Sequence, residues 1–179
     1  MSETTAKAPS VVLIPDAGPL ITLAYADALD LLQKPGWPIQ IVDMVLHEVT
    51  RNATPTSNKI AQRVALQAVE IVPTRTYGHH QTALRETGAK PRTANLGELA
   101  IQEVMNDMAL TRPDTVGVFL FEDHKIARAS FLVPDNCRKV STRAWLQFLQ
   151  DKGWIASAAQ IERAAIANRR NFSGLRFPA

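Results

Sequence analysis

The chain has 179 residues, 46% of them hydrophobic, which predicts one ordinary domain with a buried core. A single cysteine, Cys137, excludes an internal disulfide framework and suits a reducing compartment, so we expect a cytoplasmic protein. The N-terminal segment MSETTAKAPS resembles no secretory signal, and no apolar stretch approaches the length of a membrane span. The net charge of +3 is mildly basic and permits nucleic-acid binding without requiring it.

Short apolar runs alternate with helical segments in the first half of the chain. A β-branched run at 11–15 predicts a buried strand, and Gly18-Pro19 is typical of the start of a helix. We then expect that helix to continue to about 32, a strand at 39–42, a helix from 43 to about 52, an amphipathic helix within 54–68 and a strand at 69–72.

The second half continues the alternation after an irregular stretch. Residues 73–93 predict a loop with one helical turn. The later elements are predicted as a helix at 95–108, a strand at 116–121, a short helix at 124–131, a strand at 139–140 and helices at 143–151 and 157–170. Strands that alternate with helices predict an α/β fold with a parallel sheet. We divide the chain into a flexible N-terminus (1–10), one domain (11–155) and a C-terminal helix with a basic tail (156–179).

Four carboxylates lie at predicted element boundaries: Asp16, Glu48, Glu98 and Asp123. Asp16 and Asp123 follow buried strands, whereas the other two lie on helical segments. Residues just past the carboxyl ends of parallel strands face one crevice, where acidic side chains would repel one another unless a cation neutralised them. A hard divalent cation with oxygen ligands fits that requirement and also serves phosphodiester hydrolysis. The pattern therefore indicates a metal-dependent nuclease.

Each carboxylate also has a purely structural interpretation. Asn95 with Glu98 three residues later is a capping-box pattern, and Asp123 is placed to cap the helix that follows it. Glu48 fits a solvated helix position. Asp16 is the hardest to explain structurally, because an acid at the exit of a buried strand needs a partner.

Two further groups of residues are candidates for supporting roles. Thr142 follows the predicted fifth strand, where it could hydrogen-bond a metal-bound water or cap a helix. Cations outnumber anions between Arg51 and Arg92, and Lys125 follows the fourth strand. These cations predict either a solvated surface or a basic rim that holds a phosphate backbone beside an acidic centre.

The order of these motifs resembles PIN domains, including VapC-like toxins. The similar stretches are DAGPLITLA (16–24), LHEVT (46–50), LGELAIQEV (96–104) and FEDHKIAR (121–128). The resemblance implies a three-layer α/β/α sandwich around a parallel sheet of about five strands and a Mg²⁺- or Mn²⁺-dependent endoribonuclease. It places Asp16, Glu48, Glu98 and Asp123 in the catalytic site, with Asp16, Glu98 and Asp123 as metal ligands and Glu122 as an additional candidate.

The resemblance also bears on partners. It implies RNA as substrate and permits an antitoxin protein, while the narrow apolar stripe of 157–170 predicts packing on its own domain or within a homodimer. Two alternatives stay open. One is a PIN-fold RNA-binding or scaffold protein that has kept its acids without catalysis. The other is a phosphohydrolase with an aspartyl nucleophile, although Gly18 stands where such enzymes commonly carry a second acid.

Overall fold

The structure is a computed structural model that describes residues 10–66, 69–88, 95–122 and 133–170. Within these residues the fold is α/β, as the sequence predicts, with five strands and seven α-helices. The strands are β1 (Ser10–Pro15), β2 (Gln40–Val42), β3 (Glu70–Val72), β4 (Thr115–Phe121) and β5 (Cys137–Ser141). The helices are α1 (Ala17–Tyr25), α2 (Asp43–Thr50), α3 (Pro55–Leu66), α4 (Arg75–Thr87), α5 (Leu96–Thr111), α6 (Thr142–Asp151) and α7 (Ala158–Ala167), and Leu29–Gln33 form a 3₁₀-helix.

All of the described strand pairs are parallel. One sheet has the order β1-β4-β5 and the other pairs β2 with β3. A single parallel bridge between Leu13 and Ile39, in which the Leu13 amide donates to the Pro38 carbonyl at 2.9 Å, joins the two sheets. The expected continuous sheet of about five strands is therefore found as three strands plus two.

The apolar runs of β1 and β4 form the centre of the core. Leu13, Ile14, Phe119 and Leu120 are fully buried, because helices cover both faces of a parallel sheet. The predicted apolar face of α5 also lies in this core, where Met108 is fully buried. This packing fixes the carboxyl ends of β1 and β4 side by side, since Pro15 is in register with Leu120.

Helix α4 occupies most of the segment that the sequence predicts as a loop, so that prediction is wrong. The Thr74 hydroxyl caps the helix by accepting from the Tyr77 amide at 3.2 Å, and Gly88, with φ of 60°, ends it. Thr74 is itself held by Asp43, which accepts from the Thr74 amide at 2.8 Å and from its hydroxyl at 2.7 Å. A distant acid therefore fixes the start of this helix.

The C-terminal helix α7 packs against α1 and α6 of the same chain. Ala158 and Ala165 on its apolar face are buried, and Arg143 on α6 forms an ion pair with the buried Glu162 at 3.2 Å. The intrachain packing expected for this helix is thus observed, whereas a homodimer stays a prediction. Among the described helices, none combines the length and apolarity needed to cross a membrane.

Candidate functional site

Asp16 is fully buried at the carboxyl end of β1. Its amide donates to the Leu120 carbonyl at 2.9 Å, so the residue lies beside the end of β4. Asp16 occupies the N-cap position of α1, but its side chain makes no capping hydrogen bond to that helix. The usual structural role of an aspartate at this position is therefore absent, and the strand exit carries a buried acid as the sequence predicts.

Glu122 follows β4 and is a second buried acid at the same edge of the sheet. Its Oε1 accepts from the Thr22 hydroxyl at 2.6 Å and from the Thr142 hydroxyl at 3.4 Å. The Arg170 guanidinium lies 3.7 Å from the same oxygen through Nη2, and its Nε donates to Thr22 Oγ1 at 3.0 Å. The chain itself therefore supplies two hydroxyls and a cation to Glu122.

Gly18 leaves the space that the Glu122 side chain fills. A Cβ at position 18 would collide with Cγ of Glu122 and lie 3.4 Å from its Cβ. Residue 18 therefore needs to be glycine for the acid to lie against the first turn of α1. This contact is not predictable from the sequence, since the two residues are about 100 positions apart and belong to different elements.

Thr142 does not cap a helix but points toward the edge of the sheet that carries Asp16 and Glu122, which we name the acidic edge. Ser141 is the N-cap of α6, because its hydroxyl accepts from the Ala144 amide at 3.0 Å. The Thr142 hydroxyl is buried and is placed to donate to the Phe121 carbonyl at 3.2 Å or to Glu122. The capping interpretation of Thr142 is therefore wrong, and its supporting position beside the site stays a candidate role.

Glu48 contacts the first turn of α5, the turn that carries Glu98. The Gly97 amide donates to Glu48 Oε1 at 3.3 Å, so the half-buried Glu48 carboxylate lies at the positive end of the helix. Asn95, the N-cap, has a left-handed φ of 65° and makes no side-chain capping bond. The Asn95 half of the predicted capping box is thus not formed, and Glu48 is more than a solvated helix residue.

A cluster of three rings lies on the neighbouring faces of α2 and α4. The ring centroid of His47 lies 5.5 Å from that of Tyr77 and 5.3 Å from that of the buried His80. Burial, His80 and Arg51, in that order of importance, lower the pKa of His47. Sequence reasoning missed this cluster, because it placed residues 79 and 80 in a loop and therefore left no helical face to align them with His47.

The positive charge of the segment between Arg51 and Arg92 is partly neutralised by acids from elsewhere in the chain. Three ion pairs account for this: Lys59 with Asp27 at 3.0 Å, Arg63 with Asp30 at 3.8 Å and Arg75 with Glu103 at 3.0 Å. Arg51 is exposed at the end of α2, on the helix that carries Glu48. Three cations of the predicted basic rim are therefore engaged in ion pairs within the chain. Of the three predicted phosphate contacts, Arg51 is the one that the structure describes.

Three of the predicted site residues, Arg92, Asp123 and Lys125, lie outside the described residues. Among the residues that are described, no three histidine, cysteine, aspartate or glutamate side chains are grouped closely enough to hold a metal ion. The described part includes four of the predicted acids, Asp16, Glu48, Glu98 and Glu122, but it does not include Asp123. Chain order places Asp123 directly after Glu122, two residues beyond the end of β4.

No protein-family model matches the sequence, and no curated protein matches it either.

Proposed function

We propose that this protein is a metal-dependent endoribonuclease with a PIN-like active site at the carboxyl edge of β1 and β4. The observation that supports this most is the pair of buried acids, Asp16 and Glu122, at the ends of these adjacent parallel strands. The ends of adjacent parallel strands face one common crevice, and Asp16 is not used as a helix cap there. Asp123 directly follows Glu122 in the sequence, and the proposal assigns it to the same site.

The chemistry of the donors fits Mg²⁺ or Mn²⁺. Asp16, Glu98 and Asp123 offer only carboxylate oxygens, which these hard cations prefer over nitrogen or sulfur ligands. We propose these three as the metal ligands. Held by these residues, such an ion would make a hydroxide nucleophile available at neutral pH and would stabilise negative charge on the phosphate.

The remaining residues position the ligands. Glu48 accepts from the Gly97 amide and so fixes the first turn of α5, which carries Glu98. Thr142 and Thr22 hold Glu122 and thereby support the segment that leads into Asp123. In this proposal Glu48 contributes to catalysis by orienting Glu98, and a second ion is not required.

RNA is the proposed substrate. Arg51 is exposed one turn beyond Glu48 on the same helix, where it can contact a phosphate of the backbone. Arg92 and Lys125 are proposed as further contacts. The bridge between Leu13 and Ile39 supports a PIN-like order in which the β2–β3 pair extends the central sheet beside β1. An antitoxin partner is part of the same proposal.

The decisive experiment compares wild-type protein with Asp16→Asn in RNA cleavage assays with Mg²⁺, Mn²⁺ or EDTA. Asp114→Asn is the matched control, because Asp114 is exposed and precedes the start of β4, at the opposite end of that strand from the proposed site. We expect EDTA-sensitive cleavage by wild type and Asp114→Asn, and none by Asp16→Asn. Cleavage that survives both EDTA and Asp16→Asn would refute the metal site.

A second candidate function is that of a non-catalytic RNA-binding or scaffold protein with the same fold. The contacts that tie Glu48 to Gly97 and Glu122 to Arg170 favour it, because they give two of the acids structural partners. This function predicts RNA retention in a gel-shift assay, no cleavage with either metal, and no change in binding for Asp16→Asn.

A further inference from the structure

The C-terminal end of α7 places one cation, Arg170, beside the acidic edge. Two backbone bonds close the helix, from Arg169 N to the Ile166 carbonyl and from Arg170 N to the Ala165 carbonyl, each at 2.9 Å. This pattern is a Schellman motif, whose turning residue is usually glycine because it is left-handed. Here the turning residue is Arg169, with φ of 71°. The chain thus accepts an uncommon conformation for a residue with a Cβ, and the next residue is directed back toward α1.

Arg170 contacts both Thr22 and Glu122, and these two residues also contact each other. Its Nε donates to Thr22 Oγ1 at 3.0 Å, and Thr22 donates in turn to Glu122 Oε1 at 2.6 Å. Arg170 Nη2 lies 3.7 Å from the same Oε1, which completes the triangle. Thr22 is 1% exposed and Glu122 is 3% exposed, so the interaction is shielded from solvent on the Glu122 side.

The rest of the segment is anchored independently of this triangle. Glu162 on α7 pairs with Arg143 on α6, and the Asn168 side chain donates to the Tyr25 carbonyl at 2.9 Å. We name residues 158–170 the C-terminal strap. The strap therefore has its own attachment to α1 and α6, and Arg170 at its end contributes charge rather than the main packing.

We propose that Arg170 is a positioning residue that neutralises Glu122 and thereby withholds it from a divalent cation. The proposal rests on the proposed metal site for its functional consequence, but the Arg170–Glu122 coupling stands without it. The described hydrogen bonds and ion pair of Glu122 all involve Oε1, which is approached by a guanidinium and two hydroxyls. A metal ion brought to this oxygen would face the positive charge of Arg170 at close range. A metal ion that took Glu122 as a further ligand would therefore compete with Arg170 for the same acid.

The coupling is tested with purified full-length protein in metal-free buffer by a double-mutant cycle of Arg170→Met and Glu122→Gln. Arg170→Met leaves a buried carboxylate without its cation, so we expect the melting temperature to fall by about 5 °C. Adding Glu122→Gln to Arg170→Met should raise the melting temperature, whereas adding it to wild type should lower it or leave it unchanged. The same change from Glu122→Gln in both backgrounds would overturn the proposal.

Two further variants guard against a trivial result. Arg163→Met removes the same charge from an exposed position of α7, so its melting temperature should match wild type. Arg170→Lys retains the positive charge and should recover part of the loss caused by Arg170→Met. Equal losses for Arg170→Lys and Arg170→Met would show that shape alone matters and would count against a charge effect.

Titration with Mn²⁺, followed by the melting temperature, tests the competition. Arg170→Met should be stabilised at several-fold lower Mn²⁺ concentration than wild type, and Arg170→Met/Glu122→Gln should lose that gain. An unchanged Mn²⁺ response in Arg170→Met would overturn the withholding role. If no variant responds to Mn²⁺, the proposed metal site and the withholding role both fail, while the metal-free cycle still decides whether Arg170 and Glu122 are coupled.

Discussion

Glu48 and Gly97 meet so closely that a side chain at residue 97 would displace the carboxylate of Glu48. The Gly97 amide donates to Glu48 Oε1, and a Cβ at position 97 would lie 2.8 Å from Oε2. Two motifs that are far apart in the sequence are thus joined by one carboxylate. The contact holds the first turn of α5, where Glu98 is located, against α2.

Gly97→Ala separates the positioning role of Glu48 from its effect on stability. The new methyl displaces the end of a flexible side chain, and alanine favours the helix by about 1 kcal/mol, so the free energy of unfolding should change little. Cleavage should fall by about 10- to 100-fold, because Glu98 loses its fixed orientation. Urea unfolding and single-turnover cleavage measure the two effects.

Gly78→Ala is the control for that experiment. Gly78 lies inside α4, and a Cβ there would contact nothing within 4 Å. This variant should gain about 0.5–1 kcal/mol of stability with unchanged cleavage. Full activity of Gly97→Ala would remove Glu48 from the positioning role.

Gly18→Ala is expected to destabilise the protein through a steric effect on a buried acid. The added Cβ meets Cγ of Glu122, which cannot move as freely as the end of an exposed side chain. Overpacking of this kind costs about 1–3 kcal/mol. In a Glu122→Ala background, Gly18→Ala should cost much less, because the colliding atom is gone. A cost that is equal in both backgrounds, measured by urea unfolding, would contradict this origin of the strain.

Glu103 is expected to make stability depend on acid pH. Burial by itself raises the pKa of this carboxyl, but hydrogen bonds donated by Arg75 and Thr76 outweigh it and leave the pKa below its ordinary value. A lowered pKa in the folded state means that the stabilisation is complete above the unfolded-state pKa. It is lost as the pH falls through the folded-state pKa.

Glu103→Gln tests this pH dependence. At neutral pH the variant should lose about 1–2 kcal/mol, because hydrogen bonds to a charged acceptor are replaced by weaker ones. The difference from wild type should shrink as the solution is made acidic, since protonated Glu103 also lacks the charge. Glu86→Gln, at an exposed position of helix α4, should show no such trend in urea unfolding at several pH values.

The sequence predicts elements whose cause is local and misses those whose cause is distant. The strands β1 and β4 are recognisable because both of their faces are buried, which makes each a short continuous apolar run. Helix α4 is not, because Asp43 and Glu103 hold its first turn from positions about 30 residues away in either direction. Local propensity in a stretch with many polar residues and a glycine cannot register those acids.

The residues of the candidate site show the same distinction between local and distant causes. Asp16 can be singled out from its place after a buried strand, and Glu48 and Glu98 from their motifs. The partners of these acids cannot, since Arg170 and Thr22 are separated by 148 residues and meet only after α7 has packed on α1. The position of Gly18 against Glu122 likewise depends on the register between neighbouring elements.

Glu98→Gln distinguishes a metal ligand from a helix cap. Asn95 makes no side-chain cap in the structure, so the reciprocal capping box does not account for the acid three residues later. As a ligand, Glu98 is needed in its charged form. We therefore expect Glu98→Gln to abolish cleavage and to reduce the Mn²⁺-dependent rise in melting temperature. In metal-free buffer a variant of a true ligand should be as stable as wild type or more so, because it removes a charge that would repel the other proposed ligands.

Asp107→Asn provides the comparison, because Asp107 is an exposed acid on the same helix α5. It should leave cleavage and the Mn²⁺ response unchanged. A cap, in contrast to a ligand, tolerates glutamine, since the amide oxygen and nitrogen can still meet the backbone at a helix start. Wild-type cleavage by Glu98→Gln would therefore remove Glu98 from the metal site and leave it a structural residue of the α5 N-terminus.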